Sequence, residues 1–343
     1  MPTSRKSPSA MTFCDLQWLG KCFILSHTIK KIGVIIARIS ISLVLLIFLF
    51  RQVDPGSLLA VIKKADKLLL YLAFLITFFI YFFCFLRWKM LLETLGINLP
   101  KKRLISAFSG GIFFNMFLPS TVGGDFVRSA DIGYHSKKTS TVVATVLLDR
   151  LSGFTGMIVV ALIALISGAQ SIKDQKIISS IWLLAVLLLL VILVIFNDFV
   201  HGFFSRLFYS QHPGRIRGGL QSALKEMHGF KQHKSVIVKN LLLSIAVQVI
   251  GPIITYIIAV SLRLEVNLIY FFLFIPIVSV VTLLPISIGG LGVRDYVTIL
   301  LFTSIGISKH FAFAFSLLGF FFLILYAGIG GIIYVLTLHN RRV

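Results

Sequence analysis

Hydrophobic residues are gathered into long blocks separated by short polar stretches. Six blocks, Gly33 to Phe50, Leu68 to Leu86, Thr141 to Ile166, Ile177 to Phe196, Asn240 to Leu262 and Phe311 to Thr337, have about the 20 apolar residues that a helix needs to cross roughly 30 Å of hydrocarbon. Three further runs, Leu104 to Leu118, Leu268 to Leu284 and Tyr296 to Ile307, are shorter or run into a glycine-rich segment. Each fits either a short span or half of a re-entrant hairpin. The pattern predicts an all-α polytopic membrane protein of six transmembrane helices plus two re-entrant or short-span elements, up to eight spans in all. It divides the chain into a basic N-terminal tail (1–32), a transmembrane domain (33–338) and a basic C-terminal tail (339–343).

Two of the short runs close on one pattern, Leu-Pro-x-x-x-Gly-Gly-x-x-x-Arg. It stands at Leu118 to Arg128 and again at Leu284 to Arg294, 166 positions apart. Proline removes a backbone donor and clashes with the preceding turn, so Pro119 and Pro285 are expected to break their helices. Gly123-Gly124 and Gly289-Gly290 are expected to turn the chain at positive φ, and Arg128 and Arg294 add a fixed cation. Irregular, charged backbone at membrane depth is tolerated only where protein buries it or a wet cavity receives it. Both copies are therefore candidate sites.

Composition agrees with a membrane chain: mean hydropathy is +0.98, 57% of residues are hydrophobic and 13% are charged. The net charge of +21 lies between the apolar blocks rather than on a soluble domain. It reads as the positive-inside bias of cytoplasmic segments, with attraction to anionic lipid as a secondary effect and with no nucleic-acid recognition motif beside it. Arg206, Arg215, Arg217, Lys225, Lys231, Lys234 and Lys239 share the longest polar loop with only Asp198 and Glu226. Arg87, Lys89, Lys101, Lys102 and Arg103 face only Glu93. If Leu104 to Leu118 crossed fully, the long basic loop would fall outside. If it returns with Pro119 to Gly133, the loop falls inside, so the first repeat reads as re-entrant from the cytoplasm. The second then starts from the opposite side, after the Arg263 to Asn267 loop. That is the inverted-repeat plan by which transporters build sites from broken helices, with both chain termini cytoplasmic.

Asp149 and Arg150 sit inside the apolar run Thr141 to Ile166. Neighbouring helical residues point about 100° apart, so each needs its own partner: Asp149 with Arg128 or Arg294, and Arg150 with Asp125, Asp131 or Asp295. Alternatively, both lie at headgroup level near the cytoplasmic end. Cys14, Cys22 and Cys84 give no paired framework, and the eight histidines show no metal-ligand spacing. No cofactor or metal is expected. Asp15 and Lys21 interrupt the N-terminal segment, so a cleavable signal peptide is not expected there. A tail or a short interfacial helix around Phe13 to Leu25 fits it.

With Asn115 to Arg128 (NMFLPSTVGGDFVR), Leu147-Leu148-Asp149-Arg150 and Pro285 to Asp295 (PISIGGLGVRD) in order, the chain resembles the transmembrane region of lysylphosphatidylglycerol synthases and the related stand-alone flippase-like membrane proteins. The resemblance covers roughly Gly33 to Leu338. It implies an integral membrane protein of the cell (inner) membrane that moves an anionic phospholipid or a polyprenyl-phosphate-linked lipid between leaflets. Asn115, Gly123, Gly124, Asp125, Arg128, Gly289, Gly290, Arg294 and Asp295 would form the headgroup site, with Asp149 and Arg150 pairing charge within the membrane. Asp149 stands where glutamate is more usual. No aminoacyl-transferase segment follows the spans up to Val343, so lysine transfer is not implied and no catalytic residue is assigned. The competing reading is a non-catalytic membrane partner that presents lipid to a separate glycosyl- or aminoacyl-transferase. The expected partner is a membrane lipid, and the sequence leaves the oligomeric state open. The identical spacing of the repeats leads us to expect one cavity shared by both arginines.

Overall fold

A computed structural model describes residues 40, 43–44, 47–49, 51, 55–117, 123–167, 175–198, 215–283 and 287–339. Every regular element among them is helical. In chain order these are α1 (Pro55–Lys63), α2 (Lys67–Thr94), α3 (Lys101–Phe117), α4 (Gly123–Ser136), α5 (Thr139–Ser167), α6 (Gln175–Phe196), α7 (Arg215–Gly229), α8 (Lys234–Ser261), α9 (Leu268–Leu283), α10 (Val293–Thr303) and α11 (Lys309–His339). Short 3-10 turns fill Phe230–Gln232 and Ile288–Gly290. Among the described residues five helices, α2, α5, α6, α8 and α11, are long and apolar enough to cross a membrane. The first predicted span, Gly33 to Phe50, lies mainly outside the described residues, as do the N-terminal tail and residues 340–343; residues 40, 43, 44 and 47–49 of it are helical.

The three shorter apolar runs become arms of two helical hairpins. Both α3 and α9 stop two residues before a proline of the repeated pattern, where the proline ring disfavours helix in the residue ahead of it. Pro119 and Pro285 themselves lie outside the described residues. In the first hairpin Leu104 and Ala107, near the start of α3, pack with Ile132 near the end of α4, so both arms open at one pole of the bundle. In the second, Phe271 and Phe274 of α9 meet Phe302 of α10 at ring centroids 4.9 and 5.1 Å apart.

Those openings face opposite poles. Trp88, Leu92 and Val142 pack with the first, whereas Ala65, Leu262, Ile307 and Phe313 belong to the cluster holding the second. An internal two-fold relation accounts for this. The helices α2 and α8 are each 28 residues long and begin 167 positions apart, and α3 and α9 repeat the same offset. They run antiparallel: the Asp66 backbone N–H donates to Ser261 O at 2.8 Å, and at the other end Asn240 Nδ2 donates to Arg87 O at 3.3 Å. The last helix of each half, α11 or α5, packs on the hairpin of the other half.

Small residues let these helices approach, as is usual where lipid offers no hydrophobic drive to association. A Cβ on Gly110 of α3 would sit 2.6 Å from the Tyr334 ring, and one on Gly330 of α11 would sit 2.8 Å from Ser109 O. The Thr337 hydroxyl donates to Ser106 Oγ at 2.7 Å across the same seam. Between α5 and α8, a Cβ on Gly156 would lie 2.9 Å from the Ser244 backbone. The basic loop holds the amphipathic α7, whose Ala223 and Met227 pack with Leu148 and Ile195. Asp198, just past α6, binds His228 and Lys231. The hydrogen bond and charge of Lys231 hold the Asp198 carboxyl below its ordinary range.

Candidate functional site

The first hairpin carries a buried ionic chain. Asp125 lies in the first turn of α4, where the helix dipole favours a carboxylate, and Arg128 follows one turn later on the same face. Asp149 projects from α5 and Arg87 from α2. Arg87 Nε donates to Asp149 Oδ1 at 2.7 Å. Arg128 Nη2 lies 3.1 Å from Asp149 Oδ2 and 3.0 Å from Asp125 Oδ1. Arg150 Nη2 reaches Asp125 Oδ2 at 2.6 Å. Of the arginine choices open to Asp149, the structure selects Arg128. Arg150 pairs with Asp125, Asp131 lies beside His135 and Asp295 belongs to the second hairpin. The side chains of Arg87, Asp125, Arg128 and Asp149 are 6–7% exposed and that of Arg150 is 35% exposed, so the chain of charges runs from the protein interior toward one open end.

In the pairs just named three guanidiniums meet two carboxylates. The Arg128 guanidinium lies 4.7 Å from the centroid of the Trp88 ring, an attractive cation–π placement. Among the described residues Arg128 Nε and Trp88 Nε1 are buried donors with no hydrogen-bond partner. Since buried polar groups are overwhelmingly satisfied, two such donors beside a buried guanidinium make a setting suited to an anion. Asn115 Oδ1 accepts the Gly124 N–H at 2.8 Å and so fastens the tip of α3 to the start of α4.

Arg87 was not singled out by the sequence reading, which counted it among the charges that set topology. It is anchored further by Ser244: Nη1 donates to Ser244 Oγ at 2.8 Å, and the Ser244 hydroxyl donates in turn to Asn240 O. Its local signal is its place at the end of an apolar run, and only packing separates it from Lys89, which makes a partly exposed i,i+4 pair with Glu93 at 3.3 Å.

The second hairpin is built differently. Gly289, Gly290 and Gly292 adopt φ of 58°, 77° and 78°, the left-handed turn expected of glycine. Gly123 and Gly124 do not: they open α4 in helical conformation, correcting the expectation of equivalent turns. Their small size serves packing, because a Cβ on Gly124 would fall 1.9 Å from Gly111 O. Arg294 Nη2 pairs with Asp295 Oδ1 at 2.7 Å and donates to Ser316 O at 3.2 Å. Asp295, itself fully buried, also accepts from Ser316 Oγ at 2.5 Å and from the Gly292 N–H at 3.1 Å. The Arg294 guanidinium lies 4.8 Å from the Phe320 centroid, and its Nε is again a buried donor with no partner among the described residues.

The tips of the repeats do meet: a Cβ on Gly289 would lie 3.7 Å from Met116 O. The two arginines stand at different levels of the bundle. Arg128 packs on Gly111 of α3, which lies level with residues 331–334 of α11 through Gly110 and Phe113, whereas Arg294 contacts Ser316 and Phe320 of α11. At about 1.5 Å per residue, those levels differ by roughly 20 Å along the helix axis. An inverted repeat carries equivalent residues to opposite halves of the bundle, and this overrides the inference of a common site from equal spacing. Among the described residues no group of three His, Cys, Asp or Glu side chains could hold a metal ion.

Comparison with known proteins places this architecture. A UPF0104 membrane protein of Methanothermobacter thermautotrophicus is 24% identical over 293 residues, covering 79% of this chain and 85% of the relative. Residues 35–331, which include both hairpins and all five long helices but for the last turns of α11, match the family model described as the lysylphosphatidylglycerol synthase transmembrane region. The chain is a multi-pass helical membrane protein that belongs to this family.

Proposed function

We propose that the protein is a flippase-like lipid transporter of the cell membrane, handling an anionic phospholipid or a polyprenyl-phosphate-linked lipid. In this reading each hairpin offers a headgroup station in its own half of the membrane. Arg128, backed by Asp149 and Arg87, receives the phosphate from one leaflet, and Arg294, backed by Asp295 and Ser316, receives it in the other. The carrying observation is the pair of arginines, Arg128 buried and Arg294 half-buried, each on an aromatic face with an unpartnered, buried Nε, in hairpins that open at opposite poles. Arginine presents a planar fork that matches phosphate. Because Arg87 already compensates Asp149, Arg128 can transfer its own bonds to a ligand without leaving that carboxylate bare.

The test is flipping of fluorescent phosphatidylglycerol in proteoliposomes. Arg128→Lys and Arg294→Lys each keep the charge and lose the fork. Each is expected to weaken headgroup affinity about tenfold, the equivalent of a charge-assisted hydrogen bond of about 1.5 kcal/mol. Sites so far apart should act independently, so each station in the double variant should show its own tenfold loss with no coupling between them. Unchanged flipping in both single variants would reject the transporter reading, and strong coupling between them would reject separate stations.

The basic segments set the orientation proposed here. The pole holding α7 and the first hairpin faces the cytoplasm, and the Arg263–Asn267 loop faces outward. Single cysteines placed at Lys225 and Glu265 should react with an impermeant thiol reagent from opposite sides of intact cells, only the second from outside. Labelling of position 225 from outside would overturn this orientation and the re-entrant reading of the first hairpin with it.

A further inference from the structure

The internal two-fold relation builds the same corner once at each pole. Lys64 and Lys67 lead into α2 as Lys231 and Lys234 lead into α8, 167 positions later. The far ends of these helices repeat one cap: Gly96 N–H donates to Glu93 O and Ile97 N–H to Leu92 O, while Arg263 N–H donates to Val260 O and Leu264 N–H to Ala259 O. Gly96 and Arg263 thus hold equivalent places, at φ of 72° and 61°. Glycine takes this left-handed conformation at little cost, whereas the Cβ of an arginine is crowded against the following carbonyl. Strain kept in this way concentrates at functional positions. The copies differ in charge as well: Asp198 binds Lys231, and the equivalent Lys64 has no ion-pair partner among the described residues.

At the corner that holds Arg263, the bond from Asp66 N–H to Ser261 O at 2.8 Å brings Lys63, Lys64 and Lys67 beside that arginine. All four cations are exposed, and none has an ion-pair partner among the described residues. Of the carboxylates in these two turns, Asp66 accepts the Leu68 and Leu69 N–H groups and so caps α2, and Glu265 is exposed two residues past Arg263. Directly below Lys67, Leu68, Tyr71, Leu72 and Leu75 fall at i, i+3, i+4 and i+7 and are 75, 60, 44 and 45% exposed. This apolar face continues through Phe79 to Phe82, roughly 20 Å in all at about 1.5 Å per residue, which exceeds the ~15 Å depth of one leaflet. Cations that head such a face stand at the level of lipid headgroups. From the strained arginine, the unpaired lysines around it and the apolar track beneath them, we infer that this corner holds one anionic phospholipid. Its phosphate meets the Arg263 fork with Lys64 and Lys67, and its acyl chains lie along α2. In the orientation proposed above the lipid belongs to the outer leaflet, where basic residues run against the positive-inside bias. It clamps the start of α2 to the end of α8, the joint between the halves, and does not depend on the transport reading.

Native mass spectrometry of the delipidated full chain, titrated with phosphatidylglycerol in detergent, tests the proposal. One bound phosphatidylglycerol should survive in the Arg128→Lys, Arg294→Lys double variant, which separates this site from the transport stations. Arg263→Gly should weaken that lipid about fivefold, the worth of one cation beside an anionic headgroup. In lipid-free detergent the same variant should melt about 2 °C higher, because glycine releases the left-handed strain. Lys64→Gln and Lys67→Gln should each cost about fivefold again. Phosphatidylcholine should bind at least fivefold more weakly, and glycerol 3-phosphate in tenfold excess should displace nothing. Arg263→Asn, uncharged and tolerant of the same conformation, repeats the binding test if the glycine variant misfolds. Unchanged affinity in the Arg263 and lysine variants, or equal binding of phosphatidylcholine, overturns the assignment. Displacement by glycerol 3-phosphate overturns it too, since the corner would then be a site for free phosphate esters.

Discussion

Asp149→Asn is expected to lower stability by about 3–5 kcal/mol, the usual cost of removing one partner from a buried ion pair. The carboxylate is shared by Arg87 and Arg128, so its neutralisation leaves two enclosed guanidiniums with Asp125 alone between them and Arg150. Thermal unfolding of the purified chain in detergent reads the effect as a lower apparent Tm. Combining Asp149→Asn with Arg87→Gln removes one charge of each sign. The double variant should therefore be more stable than the sum of the single changes implies, by about 0.5–3 kcal/mol in a double-mutant cycle. Simple additivity would show that Arg87 and Asp149 are neighbours without energetic partnership.

Gly124→Ala carries the second large effect. An added methyl at this position meets Gly111 O at 1.9 Å and Asn115 Cγ at 2.7 Å. The first of these is backbone and cannot rotate away, so the arms of the hairpin must separate and the Gly124–Asn115 bond is strained. The expected loss is about 3 kcal/mol, at the upper end for overpacking a tight interior. Gly251→Ala is the control: it lies inside α8 with nothing within 4 Å of the added carbon, and the change should be neutral or stabilising by up to about 1 kcal/mol. Proteolysis within the first hairpin reports the difference directly. If the two variants melt alike, the close α3–α4 approach is not what holds this site together.

The long helices were legible because lipid demands uninterrupted apolar length, a local property of the chain. The partners of Asp149 and Arg150 were legible as short sets, Arg128 or Arg294 for one and Asp125, Asp131 or Asp295 for the other, because an ionisable group within an apolar run has to find a partner; only the fold picked Arg128 and Asp125 from them. Arg87 was not, because its role comes from α2 packing against α5 and α8, residues 62 to 157 positions away in the chain. The meaning of Gly124 was hidden likewise. A glycine pair after a proline suggests a turn, and in the second repeat that is what forms, but in the first the pair serves contact with Gly111. The sequence also read symmetry without its geometry. Equal spacing said that the two arginines are equivalent, and an axis lying across the bundle makes equivalent residues distant.

The seam between α3 and α11 sets an order on biosynthesis. Ser106 and Thr337, joined by a hydrogen bond, are separated by 231 positions, and a ribosome adding about 5–20 residues per second takes roughly 10–50 s to make that stretch. For most of that interval Gly110 awaits the helix that will cover it, while Arg128, Asp125 and Asp149 are already made. A nascent chain stalled before residue 309 therefore presents a charged, uncovered hairpin to the bilayer, the kind of surface that insertion chaperones hold and membrane proteases remove. The two halves, alike as they are, cannot mature one at a time.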